Sequence, residues 1–301
     1  MDEIIRFDSV GQYHTFNQQE TLHPLVGVID LSKASPRYKS NMYMGIYAVL
    51  LKEVKCGDLY YGKELYDYQE GTLIFLSPGQ VVKVDNDGEL YHPKGYALVF
   101  HPDLLFGTSL NQSIHNYNFF SYQTREALHI SEREKQIVLD CFAKIQYELN
   151  HGIDKHSKKL IAANIELFLD YCTRFYDRQF ITRDKVHQGV VANFEAILNG
   201  YFRSDNPKLH GLPSVNYCAN ELNLSPKYFG DLVKRETGQS AQDYIQNKII
   251  EVAKMKVCQN DLSISELAFD LGFKYPQHFS RLFKQRVGQT PKEFRALAQA
   301  S

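Results

Sequence analysis

A repeat in the C-terminal third of the sequence limits the possible folds more than any other feature. Ala219, Leu222 and Leu224 recur 49 residues later as Ala268, Leu271 and Phe273. With one extra residue in the second turn the offset becomes 50, and it pairs Pro226 with Pro276, Phe229 with Phe279, Val233 with Phe283, Lys234 with Lys284, Gly238 with Gly288, and Tyr244 with Phe294. Helix starts, apolar positions and terminal glycines all align, so the pattern indicates two copies of one small helical unit.

The second copy predicts an exposed helix between Pro276 and Gly288. Proline suits the first helical position, where its missing N–H would be unpaired anyway, and glycine suits the residue just past the end. Phe279, Leu282 and Phe283 form one apolar stripe. The opposite face carries side chains that can hydrogen-bond base edges and phosphates, namely Gln277, His278, Ser280, Arg281 and Lys284.

A short helix capped by Ser263 and a turn at Gly272 precede this helix, which predicts a helix-turn-helix. From Leu271 to Lys292 there are five Lys or Arg and no Asp or Glu, as expected for a surface that faces DNA. One alternative is an ordinary amphipathic hairpin with a solvated charged face. Another is a helical repeat that binds protein instead of DNA.

A predicted helix over residues 240–257 joins the two copies, with Ile245 and Ile249 on its apolar side. About 17 residues at 1.5 Å each give a rod about 25 Å long. Such a rod suits two reader helices in successive major grooves, about 34 Å apart. In the first copy, Ser214 and Ser225 are the predicted N-caps.

The chain is long enough for two or three domains, with 301 residues of which 44% are hydrophobic. Residues 193–301 hold 14 Lys or Arg and 11 Asp or Glu, whereas residues 1–192 hold 20 and 24. The net charges are therefore +3 and −4. This asymmetry fits a DNA-binding module attached to a module with another task.

Residues 1–130 predict a β-rich domain. Short apolar and aromatic runs at 46–54, 58–61, 71–76, 80–84 and 95–100 are separated by turn sequences such as Cys56-Gly57 and Asn86-Asp87-Gly88. They predict a small barrel or sandwich, and a barrel of about eight strands can enclose one small ligand. Tyrosines at positions 43, 47, 60, 61, 66, 68, 91 and 96 either line such a pocket or pack between strands.

A barrel of this kind is also compatible with a metal enzyme. The histidines at positions 14, 23, 92, 101, 115 and 129 are dispersed, without a His-x-His pair or a nearby Glu at ligand spacing. The sequence has no nucleophile elbow, phosphate-binding glycine loop or recognisable Cys and His pair. We therefore expect no catalytic residue, metal or cofactor, with a cupin-type metal enzyme as the alternative.

Residues 131–178 predict a helical hairpin. Ser131 and Glu134 form a capping box, and a stripe with the 3.5 period of a helix seam follows at Ile161, Ile165, Phe168, Cys172 and Phe175. The hairpin either packs on its own barrel or joins two subunits, and we expect a homodimer. Residues 179–192 lose this periodicity and predict a linker, and residues 204–213 predict a loop.

The cysteines and the apolar runs indicate the cellular compartment in which the protein is expected. The five cysteines are scattered and contain no Cys-x-x-Cys pair, which predicts buried thiols in a reducing compartment. The first residues lack a basic n-region, and no stretch of 18 apolar residues occurs. These features predict a cytoplasmic protein without a membrane span.

Four segments of the repeat carry a family resemblance: Ser263-Ile-Ser-Glu-Leu-Ala268, Gly272-Phe273, Phe279-Ser-Arg-Leu-Phe-Lys284 and Gly288-Gln-Thr-Pro-Lys-Glu-Phe-Arg295. Two helix-turn-helix units joined by one helix, with these segments, resemble the AraC/XylS transcription regulators. The resemblance implies a cupin-like effector domain and a helical dimerisation element before the DNA-binding domain.

The resemblance also implies which residues contact DNA. In the second copy the readers would be Gln277, His278, Ser280 and Arg281, with Lys284 nearer phosphate. The corresponding positions in the first copy are Lys227, Tyr228, Gly230 and Asp231, with Lys234 and Arg235 toward the backbone. The family often has a polar residue followed by Arg where this chain has Gly230-Asp231. Since aspartate repels phosphate but accepts from a cytosine amine, we expect the first copy to read few bases or chiefly to position the domain.

These observations predict an α+β chain. A cupin-like effector-binding domain covers residues 1–130, a dimerisation hairpin 131–178, a linker 179–192, and an all-α domain with two helix-turn-helix units 193–301. We expect a sequence-specific transcription regulator, controlled by a small-molecule effector in the barrel. Its expected partners are double-stranded DNA, the transcription machinery and a second copy of itself.

Overall fold

The chain divides into two compact units, residues 1–182 and 183–301. The structure, a computed structural model, describes residues 4–38, 40–52, 60–61, 64–65, 71–82, 89–123, 126–182, 184–259 and 262–300. The predicted turns at Cys56-Gly57 and Asn86-Asp87-Gly88 lie outside these ranges.

The first unit combines strands with helices. Its strands are β1 (Ile4–Phe7), β2 (Val26–Asp30), β3 (Arg37–Tyr38), β4 (Asn41–Met44), β5 (Tyr47–Lys52), β6 (Tyr60–Tyr61), β7 (Glu64–Leu65), β8 (Thr72–Leu76), β9 (Gln80–Val82), β10 (Leu90–Tyr91), β11 (Gly95–Phe100) and β12 (Leu128–His129). Its helices are α1 (Val10–Phe16), α2 (Leu110–Ser113), α3 (Glu132–Asn150) and α4 (Ser157–Thr182).

A five-stranded antiparallel sheet of order β12-β8-β5-β11-β2 organises this unit. Its central strands are buried on both faces, as Ala48 and Val49 of β5 show, since both are fully buried. One face packs against α1, β1 and β4 through residues such as Phe7. On the other face Phe75 meets Tyr176 of α4, with ring centroids 6.1 Å apart.

The described strands do not close into the predicted cupin-like barrel. The five-stranded sheet and a three-stranded sheet of order β1-β4-β9 share no ladder, and no described sheet pairs its two edges. Side chains that include Phe7, Tyr13, Met44 and Ile74 fill the space between the two sheets. The expected ligand cavity inside a barrel is therefore absent from the described part of this unit.

Helices α3 and α4 form the predicted hairpin, and Ser131 and Glu134 form the predicted capping box. The apolar stripe of α4 lies inside its own unit, since these residues are all buried: Ile161, Ile165, Phe168, Cys172 and Phe175. Phe168, for example, meets Phe142 of α3 at 5.3 Å between ring centroids. The stripe therefore packs within its own unit, and dimerisation remains a prediction.

The boundary between the units falls after Thr182, within the predicted linker 179–192. The described residues of that segment are helical, because α4 runs to Thr182 and α5 (Asp184–Arg203) begins at Asp184. The predicted linker therefore contains helical residues on both sides of the boundary. The segment is mostly polar, and a helix without an apolar stripe leaves no periodic pattern in the sequence.

The second unit is helical throughout its described residues. After α5 come α6 (Asn206–His210), α7 (Val215–Glu221), α8 (Pro226–Thr237), α9 (Ala241–Gln259), α10 (Ile264–Asp270), α11 (Pro276–Val287) and α12 (Pro291–Ala300). Residues 204–213 are not simply a loop, since they contain α6. A helix of five residues is too short to show a helical period.

The structure confirms the repeat. Helices α7 and α10 begin at Val215 and Ile264, 49 residues apart, and α8 and α11 begin at Pro226 and Pro276, 50 apart. The inserted residue lies in the turn that contains Gly272, as the alignment predicts.

The predicted caps are also present. Ser214, Ser225 and Ser263 each accept a hydrogen bond from the backbone N–H three residues later. Gly238 and Gly288 end α8 and α11 with φ of 71° and 85°, a left-handed conformation that favours glycine.

One apolar core supports both copies. It includes Phe194 of α5, Phe229 of α8, Ile249 of α9 and Phe279 of α11, all essentially inaccessible to solvent. Helix α9 contacts α5, α7, α8, α10, α11 and α12. Because the copies share this core, we expect α8 and α11 to keep a fixed position relative to each other.

Two features used to predict the compartment are visible in the structure. Cys141, Cys172 and Cys218 are buried free thiols as predicted, whereas Cys258 is exposed, which corrects that expectation. Cys56 lies outside the described residues. None of the described helices is long and apolar enough to cross a membrane.

Candidate nucleic-acid interface

Helix α11 separates an apolar face from a polar one. Phe279 and Phe283 are fully buried, with ring centroids 5.7 Å apart. The opposite face carries all five residues predicted to contact DNA: Gln277, His278, Arg281 and Lys284 are exposed, and Ser280 is partly exposed. The fold thus presents these side chains away from the core.

The cations of α11 differ in their partners. Nη2 of Arg286 donates to Oδ1 of Asp243 and to Oε1 of Gln246, both at 2.5 Å. Hydrogen bonds from Ser240 and Arg286 lower the pKa of Asp243 below its usual value. Arg281 and Lys284 form no ion pair with any described residue. Arg286 therefore fastens α11 to α9, while Arg281 and Lys284 keep their donors for an external acceptor.

Two exposed residues just before α11 extend this surface and were not among the predicted contacts. The ring of Tyr275 lies edge-on to that of His278, with centroids 5.4 Å apart. The ammonium group of Lys274 is 5.7 Å from the Tyr275 ring centroid. They lie at a helix N-terminus, where backbone N–H groups attract phosphate. In the sequence, the only signal that could have identified Lys274 as a contact is the excess of positive charge from Leu271 to Lys292.

Helix α8 presents a different surface. Lys227 and Lys234 are exposed, as expected for DNA contacts, and Arg235 is partly exposed. Gly230 and Asp231, at the positions of Ser280 and Arg281 in the other copy, are partly exposed. The first copy therefore offers two lysines where the second offers Gln277 and Lys284.

Tyr228 differs from the other predicted contacts in its burial. Its side chain is fully buried, whereas the others are at least partly exposed. Tyr228 lies four residues before Leu232, which is also fully buried, and residues with that spacing share one helix face. The matching residue of α11, His278, is exposed.

Contacts on both sides hold the turn between α10 and α11 in place. Gly272 has a φ of 92°, and a Cβ there would lie 2.7 Å from the carbonyl carbon and oxygen of Gly211. Asp270 binds Nζ of Lys208 at 2.9 Å and also binds Lys256. Burial alone would raise the pKa of Asp270, but hydrogen bonds from Lys256 and Lys208 lower it overall. These contacts tie the second helix-turn-helix to α6 and α9.

The first unit contains a groove of about 760 Å³ among α1, β2 and α3. Leu22, Phe142 and Asp140 contribute to its walls. His14 also lines it, although this side chain is only 4% exposed. Of the predicted pocket tyrosines whose side chains are described, Tyr96 borders the groove.

His14 is positioned to accept a hydrogen bond in this groove. Its Nδ1 lies 3.1 Å from the carbonyl oxygen of Val10. A carbonyl only accepts, so Nδ1 carries the proton and Nε2 is an acceptor in the neutral ring. Burial lowers the pKa of His14, which favours that neutral form.

The described residues contain no group of three or more His, Cys, Asp or Glu side chains that could hold a metal ion. His14 and His129 belong to separate local arrangements, since His14 contacts Val10 and Nδ1 of His129 lies 3.3 Å from Oγ1 of Thr72. The metal-enzyme alternative therefore gains no candidate site from the described part of the chain.

A family model described as a helix-turn-helix domain matches residues 218–297, which include α8, α9 and α11. YesN of Bacillus subtilis (strain 168), named an uncharacterized transcriptional regulatory protein, is 39% identical over 94 residues. That match covers 30% of this chain and 24% of YesN. The C-terminal unit is an AraC-type helix-turn-helix domain.

Two further proteins are similar to this chain. The uncharacterized HTH-type transcriptional regulator YijO of Escherichia coli (strain K12) is 25% identical over 224 residues, which cover 73% of this chain and 74% of YijO. The crystal structure of a transcriptional regulator from Chromobacterium violaceum, described as AraC-type, is 21% identical with a TM-score of 0.33. It covers 37% of this chain and 93% of that protein.

The relatives YesN and YijO are named as transcriptional regulators, which gives no support to the metal-enzyme alternative. The chain matches only 24% of the length of YesN, and the AraC-type domain accounts only for its C-terminal part.

Proposed function

We propose that the chain is a sequence-specific DNA-binding transcription regulator. The observation that carries this proposal is the pair of outward-facing helices, α8 and α11, repeated at an offset of 50 residues on one shared core. The second helix of a helix-turn-helix is the one that enters the major groove. The AraC-type match over the same residues supports the proposal.

The side chains of α11 are proposed to read bases. Gln277 and Arg281 can make paired hydrogen bonds to adenine and guanine edges respectively, and His278 and Ser280 can add single ones. Lys284 is proposed to bind phosphate. In the first copy Lys227, Lys234 and Arg235 are proposed to bind the DNA backbone.

The test of DNA binding is fluorescence anisotropy of the full-length chain with a labelled duplex over a range of salt concentrations. Several phosphate contacts predict that log K falls steeply and linearly with log salt, by about 0.9 per contact. Binding that is absent at low salt would refute the proposal. Duplex binding that does not weaken with salt would contradict the proposed phosphate contacts.

We propose that the groove beside His14 is the effector site of the first unit. It replaces the interior of a barrel as the candidate, because side chains fill the space between the two sheets. The groove mixes apolar side chains such as Leu22 and Phe142 with polar ones such as Asp140, so with the buried acceptor of His14 it suits a small molecule that has hydrogen-bond donors as well as an apolar part. Bound effector would change DNA affinity by favouring one conformation of the chain.

A small-molecule screen by thermal shift, followed by DNA binding, tests the effector site. Compounds that raise Tm and change DNA affinity should lose both effects in Ala143→Trp. Ala143 is exposed on α3 and lines the groove, so the larger ring should fill the groove without entering the core. If those compounds act equally on Ala143→Trp, the effector binds elsewhere.

We propose homodimerisation through the outer face of α4. Leu160 and Leu167 are 45% and 42% exposed, and Ala163 between them is also exposed. The three residues step by 3 and 4, the spacing of a helix seam. Lys159 lies near the N-terminal end of α4 and Asp170 farther along, so an antiparallel pair of α4 helices would bring opposite charges together.

The transcription machinery is a proposed partner, since a DNA-binding regulator acts through it. A cytoplasmic location remains the prediction from the sequence. Binding of the purified chain to RNA polymerase on a promoter that contains its site, measured as a supershift, tests the partnership. A regulator that acts only by blocking the promoter would give no supershift.

A further inference from the structure

Gly230 lies inside α8, where the protein itself gives no reason for a glycine. The backbone there is helical, and a Cβ built on Gly230 would meet no atom within 4 Å. Gly27 and Gly272 differ, because an added Cβ would lie 2.1 Å and 2.7 Å from neighbouring atoms. Glycine in a helix interior lowers stability relative to alanine. Gly230 therefore weakens α8 without relieving any contact among the described residues.

The surroundings of Gly230 are positively charged. Lys227 and Lys234, three residues before and four after it, are both exposed and share its side of the helix. At about 100° per residue, Gly230 lies on one side of the ridge formed by the two lysines, and Asp231 lies on the other. No side chain projects from the helix at Gly230, and the ammonium groups of the two lysines lie beside the gap. We call this gap the Gly230 notch.

The repeat indicates which way the Gly230 notch faces. Its counterpart is Ser280, 50 residues later, on the polar face of α11 between Gln277 and Lys284. Since α8 and α11 are the same helix in the two copies, the notch belongs to the surface that a shared partner would meet. The same surface carries serine in one copy and no side chain in the other.

We propose that the Gly230 notch receives a phosphate group of duplex DNA, so that α8 holds the backbone while α11 reads bases. The inference rests on the proposed DNA binding. A phosphate oxygen can approach the bare helix closely there and accept charge-assisted hydrogen bonds from Lys227 and Lys234.

The experiment compares duplex binding by the full-length chain and by Gly230→Ala. The probe is a fluorescein-labelled duplex of mixed sequence, about three helical turns long, because a phosphate contact needs no particular sequence. Gly200→Ala is the matched control, since Gly200 lies in helix α5 and an added Cβ also meets no atom within 4 Å.

Both alanine variants are expected to raise Tm slightly, because alanine favours the helix. Only Gly230→Ala is expected to weaken duplex binding, by about tenfold, and to flatten the plot of log K against log salt by about one unit. If Lys227 binds the same phosphate, adding Lys227→Ala should weaken binding by less than the product of the two single effects.

The inference fails if the wild-type chain binds the duplex and Gly230→Ala binds it within about twofold. It also fails if Gly230→Ala loses binding and Tm together, since the glycine then serves the fold. If the wild-type chain binds no duplex, the proposed function fails and takes this inference with it. The two failures are thus distinguished by the wild-type measurement.

Discussion

At the scale of single residues, hydrogen bonds within the chain distinguish a cationic side chain that holds the fold together from those that face outward and are proposed to contact DNA. Arg281 and Arg286 lie five residues apart on α11, yet only Arg286 is held by Asp243 and Gln246. Lys284 and Arg281 are exposed and form no ion pair with described residues. Substitutions at these three positions should therefore have three different effects.

Arg281→Ala should weaken binding to the preferred DNA site by about 1–3 kcal/mol and relax the base preference at one position, if Arg281 contacts a base. Lys284→Ala should weaken binding to all sequences alike and flatten the salt slope by about one unit. Competition assays with single-base variants of the site measure both effects. Unchanged affinity of Arg281→Ala would remove Arg281 from the readers.

Arg286→Ala serves as the control for these variants. It should lower Tm by loosening α11 from α9 while leaving base preference intact. A change of base preference in Arg286→Ala would mean that this side chain leaves Asp243 when DNA binds.

Gly27 and His14 form a steric pair in the first unit. A Cβ on Gly27 would lie 2.1 Å from Cε1 of His14, so Gly27→Ala should destabilise the first unit by about 1–3 kcal/mol through overpacking. Adding His14→Ala should remove most of that penalty, because the ring that clashes is gone. Urea unfolding of the single and double variants measures the free energy of unfolding. A loss in the double variant equal to the sum of the two single losses would contradict the contact.

The pH dependence of stability follows from the burial of His14. Burial lowers its pKa below 6.5 in the folded chain, so the unfolded chain binds the proton more readily. The stabilising contribution is complete above about pH 6.5 and is lost as the pH falls below that value. The unfolding midpoint of the wild-type chain should fall as the pH is lowered from 7.5 to 5, and the midpoint of His14→Gln should fall less. An equal fall in both would assign the effect to other groups, such as His23, whose pKa burial also lowers.

The residues that the sequence identified correctly are those set by helix geometry. Pro276, Gly288 and the buried stripe of Phe279 and Phe283 fixed which side chains of α11 face outward. Tyr228 was assigned to DNA only by its position in the repeat. Its full burial is a tertiary property that the alignment with His278 does not reveal.

At the scale of secondary-structure elements, local signals predicted the repeat well. The serine caps and terminal glycines placed α7, α8, α10 and α11 with their offsets of 49 and 50. Elements without a period were missed, such as α6 with five residues and the polar start of α5. The described strands do not close into the predicted barrel, and closure is hard to predict because it depends on pairing between strands that are distant in the sequence.

The exposed face of α4 leads to a prediction about the oligomeric state of the protein. The double variant Leu160→Lys and Leu167→Lys should remain folded, because both side chains are already 45% and 42% exposed, but it should be monomeric. Ile153→Lys is the control, since Ile153 is 52% exposed outside α4. Sedimentation equilibrium gives the molar masses. A wild-type monomer, or a dimer that survives both lysines, would contradict the proposed interface.

At the scale of the whole molecule, the shared core is what links fold to proposed function. Two reader helices that are fixed on one core and both contact α9 can bind only half-sites at one spacing on the duplex. That geometry predicts a bipartite site whose halves have centres about one helical turn apart. It also predicts unequal halves, because α11 carries Arg281 and Gln277 whereas α8 carries Gly230 and lysines.

Selection of binding sites from a random duplex library by the full-length chain tests this account most directly. We expect one enriched motif with a strongly defined half and a weakly defined half, whose centres lie about 10 base pairs apart. Recovery of duplexes without any shared motif, or no recovery at low salt, would contradict it.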